Sequence, residues 1–479
     1  MGNEDAAVGS GPGGHAMRAA ARLAGLFDHG MPLGPLPSRS LLGWHLLRKA
    51  RREVWQGRPV EAARSLLAEA IFLEIAHRQF GPNSMIRSRH GFFPHIFLPD
   101  YHGPCFDEAI RRLVLPGRGP NILYFSLTGV CPCHCEYCFA GAGGGARDDI
   151  GDETALRVAA EVAALRVPLV NISGGEPLAR FERLLSVVRI LSAGCEVRVF
   201  TTGIGLTAER LDALREAGLK GVFVSLDGDD AEAFDRARGH RGAFAAATEA
   251  LRRCAAAGML TFVNCVVDRR RFRNEIDISR FLEFVEQIDS RIVVNFLPQL
   301  ATGRGADADS FRSPEDCDAV AARVVETAKR MRRPVSMLFG AVDRFIGCPG
   351  AGGKLMNIDI AGNVTICISR AALGNVLEEP FEAIHARFLQ HCRRLKVGFF
   401  CCAVSERSGD GVIDAAASRV ALADFYAASP DAAWQRIVDR WGDLITRLLP
   451  AESGTSREAT VAGCHPHRHI APGDPTGIQ

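Results

Sequence analysis

The chain has 479 residues, of which 47% are hydrophobic and 23% charged, and a formal net charge of +2. This suits two or three globular domains with ample core, and the charge gives no reason to expect nucleic acid or an acidic membrane as a partner. A membrane span is excluded, since no stretch approaches ~18 uninterrupted apolar residues.

Residues 1–16 are Gly-rich, without an apolar signal core, and Ala6 stands where a myristoylation signal has Ser or Thr. They read as a disordered N-terminus. The 15 cysteines, an odd number in a chain lacking export signals, point to the reducing cytoplasm and to metal or thiol chemistry. Residues 17–117 form a helical N-terminal region. Within it Leu41, Leu42, His45, Leu46 and Lys49, then Ala62, Leu66, Leu67, Ala70 and Leu73, recur at helical spacing around the break Gly57-Arg58-Pro59. A helical hairpin over 38–80 follows from this pattern. The stretch 90–116 is less regular, and His90, His95 and His102 have no metal-site spacing, so they read as loop histidines.

Between 118 and 300 the pattern alternates. Short apolar or β-branched runs at 122–127, 168–173, 197–202, 221–226, 260–267 and 292–297 are predicted strands. Amphipathic stretches at 154–165, 179–191, 207–217, 244–257 and 276–287 are predicted helices between them. Repeated βα units make an α/β fold with a parallel sheet, curled into a barrel or part of one. In such folds chemistry sits at the C-terminal ends of the strands.

Polar and Gly-rich clusters fall at those ends. Cys131-Pro132-Cys133-His134-Cys135-Glu136-Tyr137-Cys138 follows the first strand, and Asn171-Ile172-Ser173-Gly174-Gly175-Glu176-Pro177 leaves the second. Thr201-Thr202-Gly203 ends the third and Ser225-Leu226-Asp227-Gly228 the fourth. Cys131, Cys135 and Cys138 read C-x3-C-x2-C, close enough for one loop to aim three thiolates at one iron-sulfur cube. Such cubes normally take four cysteines. Three would leave one iron open, as a three-ligand zinc site is open to chemistry. On these eight residues alone, a zinc site or an inert thiol-rich loop is an equal alternative.

Taken together and in this order, the motifs resemble those of the radical S-adenosylmethionine enzymes. The resemblance covers about 118–300 and implies a partial (β/α)6 TIM-like barrel. It implies that Cys131, Cys135 and Cys138 bind three irons of a [4Fe-4S] cluster and that S-adenosylmethionine chelates the fourth. Gly174, Gly175, Glu176 and Pro177 would receive the methionine ammonium, the Gly pair letting backbone approach the ligand. Ser225 and Asp227 would lie near the ribose or carboxylate, and Tyr137 beside the adenine. Ser225 and Asp227 also suit an ordinary strand-end turn. Thr202 departs from the Asn common at its position, and Cys133 and His134 occupy variable positions. The implied chemistry is reductive cleavage of the sulfonium to a 5′-deoxyadenosyl radical, which abstracts hydrogen from a peptide side chain or a biosynthetic small molecule. An external electron donor such as a flavodoxin or ferredoxin is implied, and no catalytic acid or base is nominated.

After Pro298 the barrel pattern ends in a polar stretch, followed by a predicted helix over 315–332. Cys348, Gly362 and Cys367 then read C-x13-G-x4-C around a Gly362-Asn363 hairpin signal. This resembles the start of a SPASM or twitch extension, which implies a small Cys-containing auxiliary iron-sulfur region over 340–410. Cys348 and Cys367, with two of Cys392, Cys401 and Cys402, are its candidate ligands; two buried cysteines beside a hairpin are the plain alternative. A helical segment over 411–450 and a disordered tail over 451–479 close the chain. An enzyme is the leading reading, with a non-catalytic iron-sulfur electron carrier or redox sensor on the same scaffold as its rival, and a zinc-binding interaction protein as a minor third. The residues name no substrate.

Overall fold

The fold is that of a computed structural model, which describes residues 86–394 apart from short internal stretches, the longest being 338–354. The predicted hairpin over 38–80, Cys348, Cys367, Cys401, Cys402 and the predicted segments beyond 394 lie outside the described residues.

A short antiparallel pair, β1 (Ile86–Ser88) and β2 (Gly91–Phe93), leads into helix α1 (Pro104–Val114). This helix was not predicted from the irregular stretch 90–116, although Pro104 at its start and Asp107 in its first turn are ordinary initiation signals. Then β3 (Ile122–Ser126), β4 (Leu169–Ser173), β5 (Glu196–Thr201), β6 (Leu219–Ser225), β7 (Leu260–Val267) and β8 (Val293–Pro298) lie side by side in chain order, each parallel to the next. The crossovers carry α2 (Gly151–Ala164), α3 (Phe181–Leu191), α4 (Ala208–Glu216), α5 (Ala231–Arg238), α6 (Ala243–Ala256) and α7 (Glu275–Ile288). Helix α5 is additional to the predicted set. Its boundaries are nonetheless written locally: the Asp230 carboxylate accepts from Ala233 N, and Gly239 ends it in the left-handed region at φ 59°.

The strand pattern does not stop at Pro298. Helix α8 (Pro314–Met331) returns the chain to β9 (Val335–Met337), parallel beside β8. On the opposite edge β10 (Leu355–Ile358) pairs in parallel with β3, and β11 (Asn363–Thr365) and β12 (Ala372–Asn375) add on antiparallel. The hairpin signal is real, with Gly362 at φ 84° and Asp359 accepting from Ala361 N and Asn363 N. The resulting ten-stranded sheet runs β12-β11-β10-β3-β4-β5-β6-β7-β8-β9. Its end strands do not pair with each other, so it is an open sheet whose six central βα units form a partial barrel. Helix α9 (Phe381–Arg394) docks the hairpin onto α2, with Phe381 N donating to Glu161 at 2.6 Å.

One face of the parallel strands packs its Val, Ile, Leu and Phe side chains against the helices. That both faces are covered explains why the strands read as apolar runs. On the other face Phe200, Phe223 and Phe262 stack in a row with centroids 4.2 and 4.3 Å apart. Phe93 and Ile96 cap this row together with Leu260 and Val293. Beside it lies Arg198, fully buried, whose guanidinium donates to Glu196 at 2.6 Å, to Leu98 O at 2.7 Å and to Ile96 O. Phe93, Ile96, Leu98 and Asp100 therefore close this face at the end away from the motif loops.

Candidate active site

Because β3, β4, β5 and β6 are parallel, the four loops that follow them emerge at one end of the sheet. The cysteine loop, 131–138, is held there by backbone. His134 N donates to Arg238 O at 2.9 Å and Glu136 N to Ala237 O at 3.2 Å, which fixes the loop to the end of α5. From the far side Arg304 N reaches Cys138 O at 3.0 Å, and its guanidinium reaches Cys135 O and Ala142 O, both at 2.7 Å. Glycines make these approaches possible. A Cβ on Gly143 would stand 2.2 Å from Cys133 O, and one on Gly303 2.4 Å from Cys138 O.

The Gly174-Gly175 pair works in the same way. Gly174, at φ 124°, would place a Cβ 2.6 Å from Thr128 O, and Gly175 would place one 2.3 Å from Val130 O. Gly175 N and Glu176 N donate to those two carbonyls at 2.6 and 2.8 Å. The pair thus permits close approach to the entry of the cysteine loop. Glu176 is buried at 1% exposure and accepts from Leu178 N, both hydroxyls of Thr201 and Thr202, and Thr202 N. Burial pushes its carboxyl up, against the pull of these bonds. Pro177, also buried, opens a single 3-10 turn, Pro177–Arg180, ahead of α3.

Cys131, Cys133, Cys135 and Cys138 pack with Tyr137 in one small cluster beside Val266. The Cys133 thiol bonds to both Cys131 and Cys135 and is pushed up by doing so. The same bonds draw Cys131 down and Cys135 down to about 6, the latter helped by Arg238. The thiolate is the form of cysteine that binds a metal.

Asp227, at 4% exposure, is the hub on the β6 side. It accepts from the Tyr137 hydroxyl, from Arg238 at 2.5 Å and from Val266 N at 2.7 Å. Arg238 in turn points a second nitrogen at Cys135 Sγ, 3.8 Å away, and lies over the rings of Phe234 and Tyr137 at 5.0 and 5.4 Å. Ser225 is half-buried at the end of β6, in register with Asn264 of β7, which pairs with Asn295 of β8. A cavity of about 290 Å³ opens beside Tyr137 and Asp227, lined also by Asp229, Asp230, Phe272 and Arg280.

The structure thus gathers Cys131, Cys135, Cys138, Tyr137 and Asp227 in one place, with Gly174, Gly175 and Glu176 bracing it. Cys392 lies on α9, but its side chain is outside the described part of the structure. Sequence reading missed Arg238, Arg304 and the glycines at 143 and 303; their only local signal is glycine where a loop is crossed. The donor set suits an iron-sulfur cube: three thiols on one short loop, Cys135 buried and Cys131 and Cys138 half-buried, two of them drawn toward thiolate. Among the described residues no three His, Cys, Asp or Glu converge on a single ion. A cube takes each thiolate at a separate corner, so such convergence is not required of it.

Residues 125–282 match the family model described as the radical SAM superfamily. A PqqA peptide cyclase of Ruegeria pomeroyi is 30% identical over 259 residues, covering 52% of this chain and 67% of that protein. An AdoMet-dependent heme synthase of Methanosarcina barkeri is 30% identical over 208 residues, covering 42% and 57% respectively. Among solved structures, Streptococcus suis SuiB bound to S-adenosylmethionine aligns with a TM-score of 0.47 at 16% identity, over 56% of this chain and 65% of that one. The chain therefore spans about half to two thirds of the lengths of these proteins.

Proposed function

Since the chain belongs to the radical S-adenosylmethionine superfamily of enzymes, we propose that it modifies a peptide through a radical on that peptide, using a [4Fe-4S] cluster on Cys131, Cys135 and Cys138. The observation that carries this is the braced cysteine loop, tied through Tyr137, Asp227 and Arg238 to the ends of β6 and β7. When bound, the cluster and S-adenosylmethionine supply a 5′-deoxyadenosyl radical, formed with one electron from a flavodoxin- or ferredoxin-like donor, that takes a hydrogen atom from the substrate.

The chain's own residues do the rest. The Gly174-Gly175 crossing and Arg304 hold the loop rigid, so the thiolates keep their spacing. Phe93 and Ile96 with the Phe200, Phe223 and Phe262 row keep water from the far end of the sheet. Ser225, Asn264 and Asn295 offer uncharged polar groups on the same sheet face. An auxiliary cluster on Cys348 and Cys367, with two of Cys392, Cys401 and Cys402, belongs to the same proposal.

A peptide substrate is supported by the cyclase relative, while the heme synthase relative supports a tetrapyrrole or other small molecule as the second reading. Anaerobic reconstitution with S-adenosylmethionine and dithionite tests the chemistry: 5′-deoxyadenosine should form, with about eight irons per chain for two cubes. A peptide substrate cross-linked by the enzyme should then lose two hydrogens by mass for each new bond, one from each of the two atoms joined. No 5′-deoxyadenosine from fully loaded protein would return the choice to an electron carrier or redox sensor.

A further inference from the structure

Arg238 is the last residue of α5, and its own carbonyl accepts His134 N from the cysteine loop. Its side chain turns back along the same loop. One terminal nitrogen bonds Asp227 and the other faces Cys135 Sγ at 3.8 Å, within reach of an N–H donor to sulfur. Exposure is 7% for Arg238, 4% for Asp227 and 7% for Cys135, so the guanidinium acts on the sulfur with little screening. The Nε of Arg238 is buried with no hydrogen-bond partner. A buried donor left unmatched costs about 1–3 kcal/mol. Such an unsatisfied buried group calls for an explanation, and the second terminal nitrogen, turned to the Cys135 sulfur, points to one.

Resting on the cluster assignment above, we infer that Arg238 is a positioning residue that raises the reduction potential of the cluster by presenting a charged N–H donor to the Cys135 sulfur. Hydrogen bonds to ligand sulfurs and local net charge are the levers by which protein sets such potentials. Asp227 is the counterweight. Its carboxylate holds the guanidinium in place, through Val266 N to β7 and through the Tyr137 hydroxyl to the loop, and offsets part of its charge.

The test is an EPR-monitored potentiometric titration, without S-adenosylmethionine, of the anaerobically reconstituted full chain and its R238K, R238Q and D227N variants, with iron and sulfide counted for each. R238Q with wild-type iron content should have a more negative midpoint than wild type, and R238K should lie between them. D227N, which leaves the cation uncompensated, should move the midpoint the other way. An unchanged midpoint in fully loaded R238Q overturns the inference. Should R238Q not hold iron, an unchanged midpoint in D227N overturns it, and loss of iron from both marks the network as structural only. A wild-type chain that assembles no [4Fe-4S] cluster would instead overturn the cluster assignment beneath it.

Discussion

Glu176 and Thr202, twenty-six residues apart on neighbouring loops, share two hydrogen bonds: Oε2 accepts the Thr202 backbone N–H at 2.6 Å and its hydroxyl at 2.5 Å. Oε1 meanwhile accepts from Thr201 at 2.7 Å and Leu178 N at 3.0 Å. Every partner is a donor, so the carboxylate locks the loop after β4 to the end of β5. Thr202 departs from the Asn common at its position, and its hydroxyl is what this carboxylate engages.

Replacing that carboxylate with an amide, Glu176→Gln, should therefore destabilise. Whichever way the amide turns, its NH2 would face a backbone N–H, that of Thr202 or that of Leu178, and leave it unsatisfied, a loss of about 1–3 kcal/mol. Urea denaturation measures the loss, and amide hydrogen exchange should accelerate at Thr202 and Leu178 before it does elsewhere. Wild-type exchange at both amides would refute the lock.

Gly175→Ala should disturb the cluster site without touching a thiol. Its Cβ would lie 2.3 Å from Val130 O and 2.8 Å from Val130 C, both backbone atoms of the segment entering the cysteine loop. Overpacking of this kind costs about 1–3 kcal/mol, and here the strain falls on residues that must move for it to relax. Iron content after reconstitution should drop. Gly228→Ala, where nothing lies within 4 Å of the added carbon, is the control and should hold wild-type iron.

What the sequence shows and what it hides divide along one physical line. The six parallel strands and the cysteine, Gly-Gly-Glu and Ser-Leu-Asp loops were legible, because strands covered on both faces leave apolar runs and parallel topology sends the following loops to one end. Contacts made across long separations leave no such trace. Arg238 and Arg304 look like ordinary arginines near a helix end and in a polar stretch, yet both close on the same loop. Glu196 and Arg198 alternate with valines as residues of a solvated strand face would, and are buried where Ile96, Leu98 and Asp100 lie over them.

That cover makes Arg198 a sharp test of the fold. Arg198→Ala would leave Glu196 in a buried site with its charge partner gone, and free the carbonyls of Ile96 and Leu98. Breaking a buried pair from one side costs about 3–5 kcal/mol. Equilibrium denaturation should show that loss, and limited proteolysis should find new cleavage between 93 and 101. If stability changed by less than about 1 kcal/mol, which is typical of exposed pairs, Ile96 and Leu98 would not cover this face.

His385 provides a pH dependence. It lies on α9 between Phe381 and Phe388, with Nε2 buried and unpartnered, and burial, aided by the nearby Arg112 charge, holds its imidazole down at about 4. An unfolded histidine titrates near 6.5. Between those values the unfolded chain binds a proton that the folded chain refuses, so stability is full above about pH 6.5 and falls as pH drops toward 4. At about 1.36 kcal/mol per unit, the loss is on the order of 3 kcal/mol. His385→Leu should remove this part of the acid sensitivity, so that its stability relative to wild type improves as pH is lowered through that window. Parallel stability curves for the two proteins from pH 7 to 4 would show instead that the imidazole takes up its proton in the folded chain, and that α9 does not bury it against α1.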